Sequence, residues 1–249
     1  MTFDRDLWDE TFSSENVPAF MCPHCKKGTL KGDSKKIKIV EPPYSKKEHD
    51  HEAWDPEWIR ERFVFILQCS LTSCGEVVVF SGDTQIEQVI LEDGNWGYEQ
   101  VLRPHSVYPG LPIIALPSEA PLEVEGEIEA AFQLFWSDLG ASASRLRTSV
   151  ERVLDHFKIP STKAGGGYLT LNDRIKEFKK IDPAHADTFD ALRHVGNVGT
   201  HLDELKREAL LDAYEIYEDA LNELFSKKKH KAKIAALTKK LIAAKGKYK

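Results

Sequence analysis

The sequence predicts an α+β protein: a small β-rich unit at the N-terminal end, followed by an all-α antiparallel helical bundle. Three observations predict it. Two pairs of cysteines accompany two β-branched and aromatic runs in the first hundred residues. Five of the twelve prolines, Pro104, Pro109, Pro112, Pro117 and Pro121, fall in one short stretch. From residue 123 onward apolar residues recur at helical spacing.

Taken in order, residues 1–102 form the β-rich unit. Its lead-in is acidic and carries Phe3, Trp8 and Phe12. Arg62–Cys69 and Val77–Phe80 read as two strands of a hairpin, joined by the turn that holds Cys69 and Cys74. Residues 41–58, with Pro42, Pro43 and Pro56, read as an irregular insertion. Residues 103–122 read as an extended connector, because proline fixes its backbone angle and lacks an amide donor. Residues 123–225 form the bundle, with helices expected over 124–139, 141–157, 171–181, 184–201 and 205–225. The last repeats Leu210, Ala213, Tyr214, Tyr217, Leu221 and Leu224, one apolar face. Residues 226–249 form a basic tail with Ile234, Leu237 and Leu241 at helical spacing, which extends the last helix or frays from it.

Cys22-Pro-His-Cys25 and Cys69-Ser-Leu-Thr-Ser-Cys74 are two knuckles separated by 43 residues. Cysteines this close at a tight turn can aim both sulfurs at one ion, and a second pair completes a tetrahedron. The expectation is one structural zinc ion (Zn2+) held by Cys22, Cys25, Cys69 and Cys74; two disulfides or four unrelated buried thiols are the alternatives. His24 is a substitute ligand, and His49 and His51 read as solvated loop residues before a second metal site. Four protein sulfurs leave no open position, which argues against a catalytic ion.

Charge narrows the classes further. The net charge is −6, but residues 226–249 hold ten lysines and no acid, which leaves the rest of the chain at −16. Such a body repels polynucleotides, so any RNA contact is local. No apolar run approaches the length of a spanning helix, and residues 1–15 lack the basic-then-apolar order of a signal peptide. A cytoplasmic location and no membrane partner are the expectations.

The segment Leu192–Leu202 carries a second pattern. In a continuous helix Arg193, Asn197 and His201 share one face, because each is four residues from the next. Gly196 and Gly199 let a phosphate backbone or another helix approach closely. One reading is metal-independent cleavage of a phosphodiester: His201 moves the proton, Arg193 clamps the phosphate and Asn197 orients. The other is local structure: Asn197 and His201 cap helix ends, and Arg193 pairs with Asp190 or an acid of the last helix. Residue types alone favour the second.

The stretch from Tyr108 to Phe225 resembles the domain of unknown function 4145 family. The likeness rests on Tyr108-Pro109 and Leu116-Pro117, on the helix Ala141–Leu154, on Leu169–Ile175, and most specifically on Leu192-Arg193 with Gly196-Asn197 and His201. That family is grouped with HEPN-like bundles, many of them dimeric ribonucleases of toxin and phage-defence systems with an Arg…His motif at the interface; others are non-catalytic. The resemblance implies that Arg193, Asn197 and His201 match that motif, although seven residues separate Arg193 from His201, longer than the usual interval. It implies a homodimer and an RNA endonuclease of a bacterial defence or toxin-type system, or a module of the same fold that only binds RNA or a protein.

Overall fold

The computed structural model describes residues 3–90, 94–198 and 205–243. The chain divides into two compact units: Met1–Pro112 with Phe132–Asp138, and Ile113–Ala131 with Leu139–Lys249.

The first unit is built on an antiparallel sheet. Its strands are β1 (Phe12–Ser13), β2 (Leu30–Lys31), β3 (Lys38–Val40), β4 (Arg62–Cys69), β5 (Val77–Ile90) and β6 (Trp96–Tyr108). The order is β1-β6-β5-β4-β2, with β3 also paired to β4. β4 alternates strictly between exposed and buried residues, as a sheet with one wet face requires. Its inward side chains Phe63, Phe65 and Leu67 are fully covered. Trp8, Phe12, Phe20 and Phe80 join Phe135 and Trp136 in one aromatic cluster, with ring centroids 5.6–6.4 Å apart.

The expected β4–β5 hairpin is present, with Phe65 opposite Phe80. Its second strand is much longer than the Val77–Phe80 run, and β6 pairs with it out to Ile90 opposite Trp96. β6 also takes in the first part of the proline-rich segment and continues to Tyr108, so the first unit runs past residue 102. The strand tolerates Pro104 because the register shifts between Ser81 and Gly82, a bulge that leaves His105 as the extra residue. Gly82 is obligatory there, since a Cβ would lie 2.1 Å from the Arg103 carbonyl oxygen. The insertion contains a short helix, α1 (Pro43–Glu48). It leaves and rejoins the sheet at neighbouring points, because Val40 and Arg62 are register partners.

The second unit is helical: α2 (Leu122–Leu134, whose last residues belong to the first unit), α3 (Leu139–His156), α4 (Leu171–Lys179), α5 (Pro183–Val198), α6 (Arg207–Leu221) and α7 (Lys228–Ala243). A Thr170–Asp173 capping box starts α4, each side chain meeting the other's backbone N–H. Leu146, Val150, Val153 and Leu154 of α3 are buried, as their spacing predicts. Two buried tyrosines of α6 are satisfied on α3: the Tyr214 hydroxyl lies 2.9 Å from Ser142 Oγ, and Tyr217 accepts from Ser149 Oγ at 2.9 Å. Burial raises both phenols above their ordinary pKa. A π-turn, Asn222–Lys227, leads from α6 into α7, so the tail does continue the last helix.

Candidate metal centre

Each cysteine is placed by a turn. In the first knuckle Lys26 N–H bonds to the Cys22 carbonyl, and Lys26 takes a left-handed conformation at φ 53°. In the second, Cys74 and Gly75 N–H both bond to the Leu71 carbonyl, and Gly75 has φ 64°. The residue after the second cysteine therefore reverses the chain in both knuckles. Ser70 N–H donates to the Thr29 carbonyl, and Leu30 faces Cys69 across β2 and β4, which ties the knuckles together.

All four sulfurs lie within 4.8 Å of one another. A metal–sulfur bond of about 2.3 Å in a regular tetrahedron sets an edge of about 3.8 Å. The Cys22–Cys74 and Cys25–Cys69 sulfurs are 3.8 and 3.7 Å apart. Burial pushes the Cys22 thiol up to about 12 and also raises Cys69, whereas the Gly28 N–H, 3.3 Å from Cys25 Sγ, helps pull that thiol down to about 6. A cation at the centre removes the cost of ionising the buried sulfurs. The four cysteines could thus hold a metal ion, and among the described residues no other set of three His, Cys, Asp or Glu side chains gathers in this way.

Gly28 is the residue that spacing alone does not flag. A Cβ there would sit 2.5 Å from Cys69 Sγ, so the position must be glycine for the sulfur to fit. The available signal was a glycine three residues after Cys25. His24 lies at the rim, its Nδ1 3.5 Å from Cys74 Sγ. His49 and His51 are held in the insertion: His49 meets Glu41 at 2.9 Å and packs on Trp54, and His51 packs on Trp58.

The Arg193 pattern lies on α5, which stays helical to Val198, so Arg193 and Asn197 are one turn apart. Arg193 is largely covered, its side chain 17% exposed, and its Nε donates to Asp190 Oδ1 at 2.8 Å. A second guanidinium nitrogen lies 2.7 Å from His194 Nε2. Gly196 faces α3 of the same chain: a Cβ there would be 2.5 Å from Arg147 Cβ and 3.0 Å from the Ala143 carbonyl oxygen. The close approach it permits is therefore intramolecular, between α3 and α5. His201 lies outside the described residues, as does Gly199.

Residues 129–241 match the model of a domain of unknown function (DUF4145). The DUF4145 match spans the helices that carry Arg193 and Asn197 and supports the resemblance read from the sequence. Residues 10–106 match a second domain of unknown function (DUF8608), which takes in all four cysteines. No curated protein and no solved structure matches the chain. No helix among the described residues is long and apolar enough to cross a membrane.

Proposed function

We propose that the chain is a non-catalytic binding protein of the cytoplasm, made of a zinc-ribbon β unit and a HEPN-like helical bundle. Zinc is the ion this reading assigns to Cys22, Cys25, Cys69 and Cys74. An all-thiolate tetrahedral donor set suits it, and four protein ligands leave no position for water or substrate. The ion's role is then structural: it fixes the turns from which β2 and β4 start and end.

One observation carries the non-catalytic reading. The guanidinium of Arg193 is already engaged by Asp190 and His194 of its own helix and is largely covered. A phosphate clamp needs that charge directed at the substrate. The bundle then serves to bind RNA or a protein partner, as a homodimer. A metal-independent ribonuclease of a defence or toxin-type system is the second reading, supported by Arg193 and Asn197 sharing one face of α5. In it His201 is the general acid and base.

The test is RNA cleavage by the purified metal-loaded chain without added divalent cations, with and without chelator, on total RNA and tRNA, with folding and sedimentation followed in parallel. The expected result is no cleavage by folded wild-type protein and no difference on Arg193→Ala. Products ending in 2′,3′-cyclic phosphate, abolished by Arg193→Ala and by His201→Ala, would overturn it in favour of the ribonuclease. Elemental analysis checks the metal independently, with one zinc per chain expected.

A further inference from the structure

The last helix presents a surface that the bundle leaves uncovered. On α7, Ile234 and Leu237 are 47% and 42% exposed, and Ile242 is 72% exposed. At about 100° per residue, Leu237 and Ile242 fall about 60° to one side and 80° to the other of Ile234, so the three lie on one side of the helix, in a sector that Thr238 and, by its spacing, Lys231 share. Lys239 and Lys240, both exposed, lie outside that arc. The surrounding composition is one-sided, with ten lysines and no acid in residues 226–249.

We propose that α7 is an interfacial helix that lies on an anionic lipid surface, its apolar arc sunk among the acyl chains and its lysines over the headgroups. The occupant follows from the combination. Lysines without acids demand an anionic partner, and an exposed arc of Ile and Leu demands hydrocarbon beside it. A polynucleotide answers the lysines and leaves the arc in water, whereas an anionic bilayer offers both within one helix radius. The helix lies on the surface and does not cross it, since none of the described helices is long and apolar enough to span. The rest of the chain, at −16, is repelled by the same surface, so contact is confined to the tail. Few apolar side chains take part, which makes the binding reversible and sensitive to salt.

The experiment is co-sedimentation of the full chain with phosphatidylcholine vesicles, with and without phosphatidylserine, at low and physiological salt. Binding is expected only with phosphatidylserine, weakening as salt rises. It should fall at least about tenfold both in Lys239→Glu/Lys240→Glu and in Ile234→Asp/Leu237→Asp. All four positions are exposed, so the variants keep the fold, which circular dichroism confirms. Three results would overturn the proposal: no binding to anionic vesicles, equal binding to neutral ones, or binding that survives the loss of the apolar arc. Failure with vesicles accompanied by tail-dependent binding of single-stranded RNA, or by tail-dependent self-association in sedimentation velocity, would assign the tail to those occupants instead. Neither result bears on the RNA-cleavage test.

Discussion

The cysteine cluster and the Arg193 face are the two constellations a reader of this sequence would single out, and they are held together in opposite ways. The four cysteines come from positions as far apart as 22 and 74, and their sulfurs meet where burial raises the Cys22 and Cys69 thiols. The Gly28 N–H offsets that cost only at Cys25, and a metal ion held by the four sulfurs would offset it for the rest. Arg193 and Asn197 come from one turn of one helix, and the arginine is paired with an acid three residues away. Side chains gathered from a distance against a cost point to a ligand. Side chains that are neighbours anyway, and already paired, point to local structure.

That contrast can be broken most directly at the cysteines. Cys69→Ser, or metal removal by a strong chelator, is expected to abolish cooperative unfolding of the β unit and leave the helical unit's melting transition in place, because the binding energy of a structural ion is folding energy. Lowering the pH acts in the same direction, since each thiolate must take up a proton as the ion leaves. Next in size is Gly196→Ala. Alanine favours a helix by up to about 1 kcal/mol, but the collision with Arg147 and the Ala143 carbonyl should reverse the sign and cost about 1–3 kcal/mol in a denaturant titration. Tyr214→Phe removes a buried hydroxyl from Ser142 and should cost about 1 kcal/mol by the same measurement.

Thr170→Ala removes a helix cap, worth about 1 kcal/mol. It also removes the hydroxyl that holds Asp173 below the usual carboxylate range. A depressed carboxylate contributes fully at neutral pH and loses its contribution as pH falls through its folded value, so the variant's deficit should shrink in acid. The smallest effect is expected at Arg193→Ala. It removes an i,i+3 pair within one helix, largely covered at the arginine and 42% exposed at Asp190, and should shift stability by less than about 1 kcal/mol. A much larger loss would mean that Arg193 is tied into more than its own helix.

How much of this could be read in advance depends on whether the deciding interaction is local. The knuckles were legible because cysteine spacing and ligand geometry are linked directly, and the β4–β5 hairpin because two β-branched and aromatic runs, Arg62–Cys69 and Val77–Phe80, flank the Cys69–Cys74 turn. The β5–β6 extension was not. After Phe80 the strand reads Ser-Gly-Asp-Thr-Gln, polar residues that name no buried face, and Pro104 argues against a strand until the bulge opposite Gly82 is seen. Gly28 and Gly196 were legible as glycines but not in purpose, because what each makes room for, Cys69 Sγ in one case and Arg147 in the other, is distant in sequence. The Arg193–Asp190 pair was among the alternatives, and only coordinates could choose it.

The insertion between β3 and β4 leaves the sheet at Val40 and returns at Arg62, two residues that are already paired. Mechanically it is a bight whose two ends are fastened at a single rung of the ladder. Chain added or removed at its exposed tip, Asp50–Glu52, transmits no displacement to the neighbouring rungs and hence none to Cys69. That makes it the point on this molecule where a reporter or an affinity handle can be threaded in while the sulfur cluster stays whole.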